Sequence, residues 1–395
     1  MFKKIARPNL SFIWIVTAIA LAARFAFLAF WRAKDLSSFY GQDLYYSLAL
    51  HWIGKAPWIG MDVSHPPLYT AFIAAVLWCF KGTNPAPVLV AQCLLSAAVP
   101  FLIYRLGQRL ASERAGRIAA LWVALDPGLI FFTPHLQTET LFIAMECCFF
   151  LALYSCLDEE AGPVGFAGLG FLGGACSLCR SVFVAYPAVL LPVLWMTRRR
   201  KGLALALFFF CVGWLAPIGG WALRNWVRYH EFVPTSAQMG WTLYEGFTLD
   251  REEIRRRPYD MADEARRVGA VGSLQTSRYF KAKTMRFVRE NPIDAAKIVF
   301  GKALLYWRII PYDPHSLAQR AVLAVYFLIL FVCAGMGIWT QRKTSAHWWP
   351  IHALFFYLTA SHAVFFTSLR YRMPLEPFLC LLAAAGVDAF MPKKS

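Results

Sequence analysis

The sequence predicts an all-α polytopic membrane protein with about ten transmembrane helices, and three observations carry that expectation. Apolar residues make up 58% of the 395 positions and charged residues only 16%, against about 45–50% and about 25% in a soluble domain. The apolar residues fall in runs near the length of about 20 that a membrane-crossing helix needs. Basic residues collect in short clusters between those runs, which is how topology is encoded.

The first run, 9–31, follows the basic start Met1-Phe2-Lys3-Lys4-Ile5-Ala6-Arg7. Apolar character resumes after Arg24 with no small-residue cleavage site, so an uncleaved span is expected rather than a secretory signal. Further spans are expected at 87–106, 115–133, 139–157, 164–180, 182–197, 202–222, 318–340, 347–366 and 373–391. The stretch Pro66–Phe80 is only 15 residues, short for a span, and is expected as an interfacial or re-entrant helix. Charge supports that choice. With the N-terminus in the cytoplasm and 66–80 not crossing, Arg105/Arg109/Arg114/Arg117, Arg198/Arg199/Arg200/Lys201, Arg342/Lys343 and Lys393/Lys394 all fall on the cytoplasmic side.

This topology gathers three polar regions on the outer face: 32–86, the turn Thr133–Glu139, and the stretch from Arg224 to Ser316. Arg180-Ser181 and Ser368–Arg372 reach the same boundary. Within 224–316, a charge-rich helical part over 251–267 precedes a basic amphipathic part carrying Arg278, Lys281, Lys283, Arg286 and Arg289. Such charges suit a solvated or headgroup-facing helical layer. The 33 Phe, 15 Trp and 16 Tyr fit rings that anchor helices at the lipid–water boundary.

The net charge of +17 does not indicate nucleic acid, because its basic residues are the topology clusters. The ten cysteines lie mostly inside apolar runs, where small packing residues are the ordinary reading. Cys176-x-x-Cys179 has redox or metal spacing but no second pair.

Polar residues beside a bilayer are costly and mark function by default. Asp43 opens a helical pattern in which Asp43, Ser47 and His51 share a face; a helix cap and a catalytic base explain it equally well. His65, before Pro66-Pro67, suits a phosphate contact, a metal ligand or an interfacial residue. Glu139 suits the first turn of a helix as well as a site. Arg180, Arg224, Arg370 and Arg372 suit phosphate, because a guanidinium offers a planar fork, or helix-end anchoring by snorkelling. Asp126 and Glu146 are deeper carboxylates to which the sequence assigns no role.

Taken in order, these segments resemble the GT-C glycosyltransferases, of the family 39 type that includes protein mannosyltransferases and bacterial aminoarabinose transferases acting on lipid A. The likeness rests on Gly41-Gln42-Asp43-x-x-Tyr46, His65-Pro66-Pro67-Leu68-Tyr69, Tyr104-Arg105-Leu106-Gly107 with Gly116, and Leu136-Gln137-Thr138-Glu139. Arg224-Asn225 with Phe232-Val233-Pro234-Thr235-Ser236, and Arg370-Tyr371-Arg372-Met373-Pro374, extend it over nearly the whole chain.

The resemblance implies an inverting transfer of a sugar from a polyprenyl-phosphate donor to a glycan, lipid or protein acceptor on the extracytoplasmic face. It implies Asp43 as base and Glu139 as a second acid that orients the acceptor or a cation. His65, Arg180, Arg224, Arg370 and Arg372 then serve the donor phosphate, and Tyr46, Asp62, Tyr69 and Tyr371 line the substrate. Two positions depart from the pattern: His65 stands where relatives often have Lys, and Leu44 where many have Glu. The need for a divalent cation stays open. On this reading residues 1–222, including the first outer loop 32–86, form the catalytic membrane module. Residues 223–316 form an extracytoplasmic helical region, and 317–395 the C-terminal membrane helices. The expected setting is the bacterial inner membrane. A flippase for a lipid-linked sugar is the alternative; it would suit the arginines and buried acids, but the chain shows no repeated halves.

Overall fold

The structure, a computed structural model, describes residues 8–32, 44–57, 63–158, 161–197, 201–247, 261, 263–270, 272–310, 316–342 and 345–392. Asp43 and Asp62, with the basic residues 198–200, Lys343, Lys393 and Lys394, lie outside the described residues.

Helices succeed one another along the described chain. They are α1 (Leu10–Arg32), α2 (Leu44–Trp52), α3 (Pro67–Cys79), α4 (Ala86–Leu110), α5 (Glu113–Ala124), α6 (Pro127–Phe132) and α7 (Glu139–Asp158). There follow α8 (Pro163–Cys179), α9 (Pro187–Thr197), α10 (Leu203–Tyr229), α11 (Met239–Phe247), α12 (Ser273–Glu290) and α13 (Pro292–Tyr306). The chain ends with α14 (Leu317–Gln341), α15 (Ser345–Val364), α16 (Leu369–Arg372) and α17 (Glu376–Phe390).

Six described segments are long and apolar enough to cross a membrane: Leu10–Phe30, Ala86–Leu110, Glu139–Asp158, Leu203–Tyr229, Leu317–Gln341 and Leu369–Phe390. The other expected spans differ for local reasons. The run 115–133 is two helices, because Asp126 caps a new start by accepting from Leu129 N at 2.8 Å and Pro127 follows it. Proline disfavours helix at the residue before it, so α5 stops there. The runs 164–180 and 182–197 become the 17-residue α8 and a short 3-10 turn, Ser181–Ala185, leading into α9. The run 347–366 is the 20-residue α15, punctuated by Pro350 and histidines. Pro66–Phe80 forms the short helix α3, with Pro67 at its first turn.

Close backbone contact sets the packing of α8 on α10. A Cβ at Gly170 would lie 2.1 Å from Phe210 O, and one at Gly213 would lie 2.0 Å from Ala167 O. Lipid tails are as apolar as leucine, so small residues that let helices approach are what hold them together.

The described part of the stretch after α10 is mainly helical; most of the charge-rich part expected at 251–267 lies outside the described residues. In α12, Phe280 and Thr284 are buried, and the Phe280 ring packs on Tyr244 and Trp241 of α11 at 4.8 and 5.5 Å. The basic residues keep the other faces, with Lys283 bonded to Glu264 at 2.6 Å.

Candidate active site

A cavity of about 1310 Å³ opens where segments from across the chain converge. Its walls carry Tyr45, His65, Gln137, Arg180, Arg370 and Tyr371, among others. Leu44, the first residue of α2, also lines it.

Three charged groups from distant parts of the chain meet beside it. Glu139 opens α7 and is fully buried. Arg370 on α16 donates Nε to its Oε1 at 2.5 Å and Nη2 to its Oε2 at 3.2 Å. Arg180, the residue that ends α8, donates Nη1 to Oε1 at 3.3 Å. The arginines face the cavity and share one carboxylate, so the cluster holds an excess of positive charge. Arg180 also lies over the Phe142 and Tyr371 rings at 5.6 and 5.4 Å, contacts that suit a weakly hydrated guanidinium.

Two histidines face this charge. His65 sits in the turn before α3, its ring edge-on to Tyr45 at 4.4 Å. Burial pushes its imidazole down to about 4, and Arg370 adds to the effect. His135 is also pushed down to about 4 by burial, against the opposing pull of Glu139 and of its Phe131 carbonyl contact. Its Nδ1 lies 2.9 Å from Phe131 O. Both rings are therefore neutral near pH 7.

The segment Phe232–Ser236 forms a further wall. Asn225 Nδ2 donates to Val233 O at 2.8 Å and Trp221 Nε1 to Thr235 O at 3.1 Å. Ala237 N donates to Val63 O at 2.7 Å, which ties this wall to the turn that carries His65. The Ser236 and Ser181 hydroxyls are 3.0 Å apart.

Of the residues singled out from sequence, the structure brings His65, Arg180, Arg370 and Tyr371 to the cavity wall, with Glu139 paired beside them. Arg224 is elsewhere: it stacks on Trp221 at 4.7 Å and donates to Asn225 Oδ1 at 2.9 Å. Arg372 is fully buried, bonded to Glu376 at 2.9 Å and to Arg308 O at 2.7 Å. Tyr46 is buried with its hydroxyl on Thr83 O, and Tyr69 is buried with its hydroxyl on Gln92 Oε1 at 2.5 Å. Neither tyrosine is on the wall. Wall residues the sequence did not single out as site residues include His135, Gln137, His362 and Lys281. His362 is stacked between Tyr306 and Tyr371, at 5.6 and 4.9 Å.

Among the described residues, no group of three or more His, Cys, Asp or Glu side chains could hold a metal ion. Cys176 and Cys179 are buried free thiols, and Cys179 lines the cavity.

Residues 64–221 match the family described as dolichyl-phosphate-mannose-protein mannosyltransferase. No curated protein matches the chain in sequence. Among solved structures, the oligosaccharyltransferase AglB of Archaeoglobus fulgidus, in complex with an inhibitory peptide and a dolichol-phosphate, aligns over 96% of this chain at 13% identity, with a TM-score of 0.59. The apo form of the Archaeoglobus fulgidus oligosaccharyltransferase aligns over 96% at 15% identity and a TM-score of 0.59. The chain spans about half the length of these structures, 50% in each case. ArnT of Cupriavidus metallidurans bound to undecaprenyl phosphate aligns over 96% of this chain and 78% of its own, at 14% identity and a TM-score of 0.41. The chain is an integral membrane protein that shares the helical fold of these oligosaccharyltransferase structures.

Proposed function

We propose that the chain is a membrane glycosyltransferase that moves a sugar from a polyprenyl-phosphate donor to an acceptor hydroxyl, with inversion, on the extracytoplasmic face of a bacterial inner membrane. The observation that carries this reading is the Arg180–Glu139–Arg370 cluster beside a cavity that is also lined by Leu44, the residue after Asp43 in the sequence. The match of residues 64–221 to a family named for a lipid-phosphate sugar donor supports it.

The chemistry follows from the groups present. In an inverting transfer the acceptor oxygen attacks the anomeric carbon as its proton passes to a base. The bond from that carbon to the phosphate oxygen breaks on the opposite side, and the electron pair leaves with the lipid phosphate. Asp43 is the base in this scheme. Arg180 and Arg370 stabilise the growing phosphate charge, which counts for more in a site that excludes water. Glu139 holds the two guanidiniums apart and aimed, and its role is that of their counter-ion. His65, neutral, gives the phosphate a hydrogen bond rather than a charge. Gln137 Oε1 is buried with no hydrogen-bond partner among the described residues and lines the cavity; a sugar hydroxyl satisfies it. The acceptor is a glycan, lipid or protein, and membrane lipid surrounds the site.

The test supplies purified protein in lipid nanodiscs with radiolabelled polyprenyl-phosphate sugars and a panel of acceptors, comparing wild type with Asp43→Asn. Transfer by the wild type that is lost in the variant is the expected result. Transfer that survives unchanged removes Asp43 as base, and movement of the lipid-linked sugar across vesicles without transfer identifies a flippase instead.

A further inference from the structure

The turn between α6 and α7 breaks helical hydrogen bonding inside the bundle. Backbone carbonyls released there and buried away from water need partners within the protein. Two of them, Thr133 O and His135 O, accept from the same side chain: Gln92 Nε2 of α4, at 2.7 and 2.9 Å. Gln92 is fully buried. Its own carbonyl oxygen accepts from the Tyr69 hydroxyl of α3 at 2.5 Å, so the amide is held from both ends.

The arrangement continues in both directions. The Thr133 hydroxyl, one residue on from α6, lies 3.0 Å from Ser96 Oγ, and Ser96 Oγ accepts from Arg24 Nε at 2.6 Å. On the other side the Tyr69 ring meets Tyr45 edge-on at 5.1 Å, and Tyr45 meets His65 at 4.4 Å. Gln92 thus links two parts of the cavity wall. One part is formed by Tyr45 and His65, reached through Tyr69. The other is the turn that presents His135 and Gln137 and delivers Glu139 to its two arginines.

We infer that Gln92 is a positioning residue for the transfer reaction, fixing the 133–138 turn, and with it Glu139, in register with the wall formed by Tyr45 and His65. The inference rests on the glycosyltransferase reading for its catalytic consequence and on geometry alone for its structural one. A glutamine in this place supplies what no apolar residue can, an acceptor 23 residues and two donated bonds 41 and 43 residues distant from their partners in sequence. A misplacement of about 1 Å in a group that aims catalytic charge costs on the order of 100-fold in rate.

The experiment compares wild type, Gln92→Leu and Tyr69→Phe in nanodiscs by amide hydrogen exchange and by transfer kinetics. In Gln92→Leu, exchange over residues 133–138 rises at least tenfold while the ends of α8 and α10 keep wild-type protection. The turnover number kcat falls about 100-fold with little change in the donor KM. Tyr69→Phe leaves both Gln92 donors in place and gives the same pattern at reduced size, so it reports even where Gln92→Leu folds poorly. Wild-type exchange over 133–138 in both variants overturns the inference, whatever the kinetics. So does a uniform rise in exchange across the bundle with kcat per folded molecule unchanged, which is a purely structural glutamine. Because exchange is measured without turnover, a wild type that fails to transfer sugar sinks the functional proposal and leaves this test standing.

Discussion

Arg370 and Glu139 stand 231 positions apart in the chain and meet through two parallel hydrogen bonds, Nε to Oε1 and Nη2 to Oε2. Arg180 adds a third donor to the same carboxylate. Two guanidiniums against one buried carboxylate leave a positive excess facing the cavity, which an incoming phosphate neutralises.

That geometry separates two substitutions of similar size. Glu139→Gln keeps shape but removes the counter-charge, leaving two buried cations; breaking a buried pair in this way costs about 3–5 kcal/mol. The variant is expected to show a lower unfolding temperature by tryptophan fluorescence and to lose transfer. Arg370→Lys keeps the charge but not the fork. It should stay folded and lose at least tenfold in kcat/KM; wild-type kinetics in Arg370→Lys would show that the two-point geometry is unimportant.

His65 and His135 give a pH signature. The unfolded chain takes up protons on these rings near 6.5, whereas in the folded chain burial moves both down to about 4. Between those values the unfolded state holds more protons, so the contribution of these two rings to the free energy of unfolding falls as pH drops from 6.5 toward 4 and is constant above 6.5. The displacement from 6.5 to about 4 corresponds to about 3 kcal/mol per histidine at full effect. Denaturation followed from pH 8 to pH 4 should show this decline, and the double variant His65→Gln/His135→Gln should make it shallower, the other buried histidines keeping the remainder. An equal slope in that variant assigns the acid sensitivity to other groups.

The glycine contact between α8 and α10 is equally specific. With a Cβ at Gly213 only 2.0 Å from Ala167 O, backbone must move to admit any side chain. Gly219 lies on the same helix with nothing within 4 Å of its Cβ position. Gly213→Val should therefore fail to give a monodisperse peak on size exclusion. Gly219→Ala should behave as wild type or gain slightly, since alanine is the better helix former by about 1 kcal/mol.

Much of this was legible in the sequence where the signal was local. The run expected at 318–340 is the helix Leu317–Gln341, and the one expected at 139–157 is Glu139–Asp158, because length and apolarity alone define such elements. The break at Asp126-Pro127 carried its own cap-and-proline signal, but the apolar residues on both sides hid it. The arginines show a different limit. Arg370 and Arg372 are two positions apart, so on one helical turn they point to nearly opposite sides; one reaches Glu139 and the cavity, the other Glu376. Which arginine faces the substrate depends on the neighbours that tertiary packing supplies. Gln92 gave no signal, since a single polar residue inside an apolar run says nothing about partners 41 residues away.

Arg24 offers the last test, of how the other end of the break is held. It is fully buried on α1. It donates to Ala124 O at 2.7 Å and Val123 O at 3.4 Å, carbonyls released where α5 ends, as well as to Ser96 Oγ at 2.6 Å and Ala20 O at 3.1 Å. Truncation to alanine strands these acceptors in an interior without water, at about 1–3 kcal/mol for each unsatisfied group. Lysine brings a compact ammonium that cannot reach α1, α4 and α5 together. Both Arg24→Ala and Arg24→Lys should lower the unfolding temperature, alanine further. Activity per folded molecule should change little in either, because Gln92 still holds the 133–138 turn. A charge-dependent role gives a different result: Arg24→Lys would then keep wild-type stability, and the carbonyls of α5 would not be what the guanidinium is for.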